Sequence, residues 1–391
     1  MTAAANMPEP NPPAPKPAAE PRLRLAYLDG LRALASCYVV VFHSVLGFSG
    51  NDLSGPWRLL RRLSAFGHES VAIFIVLSGY CLMLPVARAR PEQHTVQLGR
   101  FIWRRARRIL PPYFVTLLAS LALLATVPVL AAGKSGTIWD DSLPGLEWGP
   151  ILSHVFLVHN WVPSWSVQIN GPLWSVASEW QIYFFFPLLL LPVWRRFGML
   201  GALLVAAVLG YAPMLFAPGP TKSAIPWYLL LFTFGMAAAA IGFSEQSLAA
   251  SLRQRVAWRY LSAGLWGFCI AFGLGVGKIW FAYKPVTDVL VGLATACLLI
   301  HLTACAASAG KTRSRLFDLL SAKPLVAIGH FSYSLYLTHL PVMALCYFAL
   351  LPLHLAPGPF ALALLSISGV ASMAVAYAFH LAFERPFMVT R

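Results

Sequence analysis

Arg32 and His43 stand eleven positions apart inside an apolar stretch that runs from about residue 26 to 48. On a helix, eleven steps of 100° make three turns plus about 20°, so the two side chains share a face, about 16 Å apart along the axis. Imidazole is the side chain that titrates nearest neutrality and most often acts as a general base, which makes His43 the first candidate for chemistry. The competing reading is a packing histidine hydrogen-bonded across a helix bundle. Ionisable groups are expensive in a membrane, so Arg32 on the same face, with Asp29 just before it, turns the balance toward a polar path.

A second candidate is Glu179, in Gly171-Pro-Leu-Trp-Ser-Val-Ala-Ser-Glu-Trp-Gln-Ile-Tyr183. Ser175, Glu179 and Tyr183 recur every four residues and make one polar stripe on a helix expected to begin at Pro172. The carboxylate either orients His43 or pairs with an arginine. A third feature, Phe101-Ile-Trp-Arg-Arg-Ala-Arg-Arg-Ile-Leu-Pro-Pro-Tyr113, puts Arg104, Arg105, Arg107 and Arg108 into five positions. As a basic loop it reads either as a topology anchor against lipid phosphates or as a phosphate clamp, since guanidinium forks bind phosphates bidentately. No nucleotide-type glycine pattern accompanies it, which favours another phosphate-bearing donor. His68 and Glu69 open an apolar run in which Ser78-Gly79 allows close helix approach. Ser332, Tyr336 and His339 fall on or near one face of a later run, with His339 read as a packing or pore-lining group. Asp288 reads either as a further intramembrane carboxylate or, lying near the end of another run, as a solvated one. No ligand cluster calls for a metal.

The elements that must hold these groups are membrane helices. The chain has 391 residues, 58% hydrophobic and 11% charged, against about 25% charged in soluble domains. The expected fold is all-α and polytopic, with about ten spans at 26–48, 69–87, 110–132, 172–193, 197–216, 226–243, 259–280, 286–305, 325–350 and 360–383, each near the roughly 20 residues a bilayer requires. Residues 1–24 are Ala/Pro-rich and read as a disordered tail, 25–387 as one transmembrane domain and 388–391 as a short end. With both termini cytoplasmic, the cytoplasmic pieces carry 21 of the 29 Lys and Arg residues, as the positive-inside rule requires. That dispersal accounts for the net charge of +15 and argues against nucleic acid. The six cysteines all fall in apolar segments and read as small core residues. The longest outer connection, about 133–171, is rich in Trp, suiting an interfacial belt or a sugar-stacking platform, and its 151–158 run reads as a surface or re-entrant helix.

Tyr27-Leu-Asp-Gly-Leu-Arg-Ala-Leu-Ala with Arg32-x10-His43, Ile73-Phe-Ile-Val-Leu-Ser-Gly-Tyr80, the arginine stretch, Trp174-Ser-Val-Ala-Ser-Glu179 and Ser332-Tyr-Ser-Leu-Tyr-Leu-Thr-His339 together resemble the membrane acyltransferase-3 family, over about Leu25 to Phe387. The resemblance implies a multi-pass protein of the bacterial inner membrane that takes an acyl group, usually acetyl, from cytoplasmic acyl-CoA to a hydroxyl of an extracytoplasmic glycan or glycolipid. It implies that His43 is the essential histidine, Arg32 the basic partner of the Arg/Lys-x10-His motif and Glu179 the acidic residue of its region. The Arg-x-x-Arg motif falls on Arg104 with Arg107 or on Arg105 with Arg108. Some members add a hydrolase-like domain; this sequence stops at Arg391, and any second transfer step is expected to use another protein.

The expected mechanism has His43 deprotonate the acceptor hydroxyl with help from Glu179, or become acylated itself. His68, Glu69, Ser175, Tyr183, Tyr336, His339 and Asp29 are candidates for the substrate path. The alternative is a transporter or flippase using the same ionisable groups, although the repeated halves and broken helix pairs typical of that class are not evident. The acceptor, acyl chain length and oligomeric state are not encoded in any motif.

Overall fold

The computed structural model describes residues 25–47, 55–89, 96–131, 139–142, 146–275, 283–308 and 314–388. All regular structure among them is helical, because a chain in hydrocarbon has to satisfy its backbone N–H and C=O groups within each segment. The principal helices are α1 (Ala26–Gly47), α2 (Pro56–Ser64), α3 (Gly67–Arg88), α4 (Leu98–Thr126), α5 (Trp148–Val155), α6 (Leu173–Phe185), α7 (Leu191–Phe216) and α8 (Pro218–Ala224). They continue with α9 (Tyr228–Phe243), α10 (Ser247–Arg255), α11 (Trp258–Gly275), α12 (Lys284–Ala307), α13 (Arg315–Leu320), α14 (Lys323–His330), α15 (Ser332–Leu350) and α16 (Pro357–Phe379). The expected tail at 1–24 lies outside the described residues.

Seven helical stretches among the described residues are long and apolar enough to cross a membrane, or eight when α8 and α9, bent by 43°, count as one. This falls short of the expected ten, for two physical reasons. Leu173–Phe216 is one 44-residue helical stretch, about 66 Å long and more than twice the apolar thickness of a bilayer; it breaks at Gly198, where φ is 73°. In α11 the first turn, Trp258-Arg259-Tyr260, dilutes the hydropathy of an 18-residue helix. The arginine stretch is also not a loop. It forms the first turns of α4, which continues through Pro111 and Pro112.

Helix α3 is the centre of the bundle, packed by α1, α9 and α12. A Cβ at Gly79 would meet the Phe232 carbonyl oxygen at 1.9 Å, and one at Gly235 would meet the Val76 carbonyl oxygen at 2.0 Å. The α3 and α9 backbones therefore touch, as the Ser78-Gly79 pair led us to expect. The first turn of α1 is held the same way, by Gly30 against the Leu320 carbonyl and Gly329 against that of Asp29. Beside it the hydroxyls of Tyr27, Tyr80 and Thr303 form a closed triangle of 2.6–3.1 Å. These contacts set the start of α1 beside α13, α14 and the late turns of α3 and α12; we call this the basic end. The opposite end is where α1 finishes and α3 begins.

Candidate functional site

His43 Nδ1 lies 3.1 Å from His339 Nε2 and 3.1 Å from the Val39 carbonyl oxygen. The second ring nitrogen of His339, Nδ1, faces the carbonyl oxygens of Leu335 and Tyr336 at 3.1 and 2.8 Å. Carbonyls only accept, so His339 Nδ1 carries a proton, and in a neutral ring its Nε2 is then an acceptor. His43 must therefore donate from Nδ1, which leaves the lone pair on its own Nε2 available. His339 is fully buried, whereas His43 is only half-buried. The pair is a buried imidazole behind a half-buried one, and the side chain that contacts His43 is His339 rather than Glu179.

Arg32 donates to Asp29 at 2.7 Å and to Cys81 Sγ at 3.0 Å, so its carboxylate partner is Asp29, one helical turn back. Cys81, expected to be a plain core residue, is half-buried and belongs to this group. Glu179 accepts from Ser78 Oγ and from Tyr183 Oη, the latter at 2.5 Å. The polar stripe of α6 is therefore real, and its third member, Ser175, hydrogen-bonds the Tyr336 hydroxyl at 2.7 Å. Tyr336 in turn contacts the His339 ring, 5.9 Å between centroids. Of the four arginines on α4, Arg105 and Arg108 turn partly inward while Arg104 and Arg107 are exposed. Arg105 interacts electrostatically with Tyr183 and Cys81, and its buried Nε has no hydrogen-bond partner among the described residues. The polar groups thus form a ladder from Arg105 through Tyr183, Glu179 and Ser78, then Ser175 and Tyr336, to His339 and His43.

At the opposite end, His68 Nε2 lies 3.2 Å from Asp288 Oδ2, which also accepts from Trp227 Nε1 at 2.9 Å. The His68 ring stacks on Trp174, the neighbour of Ser175, at 5.7 Å. Asp288 is fully buried rather than solvated at a span end, because the Trp227 indole and the His68 ring close over it. Glu69 is buried beside this group. In the connection before α6, the rings of His154 and His159 stack at 3.7 Å, both fully buried. Burial pushes His154 down to about 4, and burial together with the neighbouring His154 puts His159 well below the usual range. Trp139 is buried and Trp148 exposed, so the tryptophans there do not act as one belt. A further cluster, Glu384 with His380 at 2.8 Å and Ser334 at 2.5 Å, was missed in the sequence. An isolated carboxylate at the end of an apolar span was the signal for it.

Fold and site together define a multi-pass membrane protein with a histidine pair and an arginine-lined end joined by one polar ladder. A family model described as an acyltransferase domain matches residues 25–381, and the chain belongs to that family. Among its relatives, YrhL of Bacillus subtilis, whose name assigns it provisionally to peptidoglycan O-acetylation, is 26% identical over 81% of this chain and 48% of its own length. The peptidoglycan O-acetyltransferase OatA of Listeria monocytogenes is 27% identical over 81% of this chain and 49% of its own. The acyltransferase MdmB of Streptomyces mycarofaciens is 29% identical over 42% of this chain and 39% of its own. The chain thus spans about half the length of the first two relatives or less of the third. No solved structure matches it.

Proposed function

We propose that this membrane O-acyltransferase uses acyl-CoA, with acetyl as the acyl group, held at a cytoplasmic basic end, and delivers the acyl group to a hydroxyl of a glycan or glycolipid reaching His43 from the other side of a bacterial plasma membrane. The observation that carries the reading is the hydrogen-bond sequence at the histidine pair, which leaves His43 Nε2 as an accessible lone pair. The ladder supplies the second half of the argument. Arg105 and Arg108 point inward without a carboxylate partner among the described residues, and such guanidinium groups suit the phosphates of a donor. A pantetheine arm lying along the ladder brings a thioester toward His43.

In the reaction His43 Nε2 takes the proton of the acceptor hydroxyl as its oxygen attacks the thioester carbonyl carbon. The tetrahedral intermediate then collapses, the C–S bond breaks, and the imidazolium returns the proton to the departing thiolate. His339 holds the His43 ring in the required tautomer throughout. The names of YrhL and OatA, both for peptidoglycan O-acetylation, support a glycan acceptor.

The test is transfer of labelled acetyl from acetyl-CoA in proteoliposomes supplied with glycan acceptors. Label on a glycan hydroxyl, lost in His43→Ala, supports direct transfer. Label that stops on His43 replaces it with a covalent route. The absence of CoA-dependent labelling across several acyl donors would falsify the donor assignment.

A further inference from the structure

Helix α1 presents a second face that the ladder does not use. Leu31, Leu34, Ala35 and Tyr38 lie about 120° around the helix from Arg32 and His43, and they wall a cavity of about 1670 Å³. This is larger than the roughly 300–1,000 Å³ of a small-molecule pocket. Its other walls are α3, α11 and α12, with α10 and α13 at one end, and it runs from Trp258 to Leu274 along α11, a length of about 24 Å that nearly matches the apolar thickness of one membrane. Among the described residues α11 packs mainly on α12 rather than on α1, so the cavity is a groove between them.

The groove has a charge direction. At the basic end it is lined by Arg253, Arg259 and Arg315, none of which has a carboxylate within ion-pair distance among the described residues. Two N–H groups of Arg253 donate to the Ile241 and Ser244 carbonyls, which fixes the guanidinium in place without neutralising it. Toward the opposite end the wall carries the Glu69 side chain. Arg62, at that end, donates to the Leu274 carbonyl at 3.3 Å and does not line the groove.

We infer that this groove is a binding site for an anionic phospholipid, its headgroup on Arg253, Arg259 and Arg315 and its acyl chains lying between α1 and α11. The arginines select the headgroup charge, and the apolar length behind them accepts the chains.

The experiment reconstitutes the full chain in nanodiscs with phosphatidylglycerol bearing a photoreactive carbon in one acyl chain, compared with the matching phosphatidylcholine. Labelled peptides are mapped by mass spectrometry. The expected result is phosphatidylglycerol labelling concentrated on α1 and α11, displaced by unlabelled phosphatidylglycerol but not by phosphatidylcholine. Arg259→Gln and Arg315→Gln should each lower it by about fivefold. Leu34→Trp, at a position 42% exposed, fills the groove with the arginines intact and should also lower it. Equal labelling by both lipids, or displacement of the label by acyl-CoA, overturns the assignment. So does cross-linking of residues 1–24 into the groove in place of lipid. Competition on the native chain decides the question even where a variant fails to fold.

Discussion

His43 and His339 meet at 3.1 Å although 296 positions separate them. In the proposed mechanism the contact divides their roles, His43 touching substrate and His339 acting through His43. Replacing His43 with Ala is expected to lower transfer by about 10²–10⁴. His339→Ala should cost less, about tenfold, or roughly 1.4 kcal/mol. His339→Gln offers an amide oxygen to the same N–H and should recover part of that loss. Steady-state transfer from labelled acetyl-CoA measures all three, and equal, unrescued losses in both His339 variants would make that residue structural.

The inward turn of Arg105 and Arg108, against the exposure of Arg104 and Arg107, resolves into a kinetic difference. Arg105→Gln and Arg108→Gln should raise the donor KM by about tenfold or more, the worth of a charge-assisted hydrogen bond, with a smaller effect on kcat. The same changes at Arg104 and Arg107 should leave KM within about twofold, since exposed charges contribute little. Initial rates across acetyl-CoA concentrations separate the two pairs, and the reverse pattern assigns the motif to the other register.

Gly79 leaves no room for a methyl group against the Phe232 carbonyl. Gly79→Ala should destabilise the fold by about 1–3 kcal/mol through overpacking between α3 and α9. Gly264→Ala, on α11 with nothing within 4 Å of its added Cβ, is the control and should be neutral or slightly stabilising. Thermal unfolding of the detergent-solubilised variants compares them directly.

The stacked His154 and His159 make the connection before α6 sensitive to acid. Burial holds His154 at about 4 in the fold, below the roughly 6.5 of an exposed histidine. Between those values the unfolded state binds more protons, so stability is complete above about pH 6.5 and falls as the pH drops toward 4. The unfolding midpoint should decrease from pH 7.5 to pH 5. A His154→Leu/His159→Leu double variant, lacking both titrating groups, should lose less over the same range.

Much of the site could be read along single helices, where spacing fixes direction. Arg32 and His43 on one face of α1, and Ser175, Glu179 and Tyr183 on one stripe of α6, follow from helical periodicity alone. What one helix cannot specify is which partner faces it. Glu179 turned to Ser78 and Tyr183 rather than to His43, and Cys81 became an acceptor for Arg32, because α3 presents Ser78 to one and Cys81 to the other. The burial of Asp288 depended on Trp227 and His68, which come from two other segments. The count of ten spans and the seven or eight stretches seen among the described residues part at Gly198, where one helical stretch outruns a membrane thickness, and at α11, which opens with polar residues.

The partners of α1 lie far along the chain. Tyr27 finds Thr303 276 positions later, His43 finds His339 after 296, and Ser44 finds Ser368 after 324. A ribosome therefore delivers α1 to the membrane long before those distant groups can be met, and premature termination anywhere before α15 leaves His43 without His339 and Ser44 without Ser368. Surveillance proteases that recognise exposed polar groups within a bilayer would have a clear signal in any such fragment. Helix α1 is inserted well before it is completed.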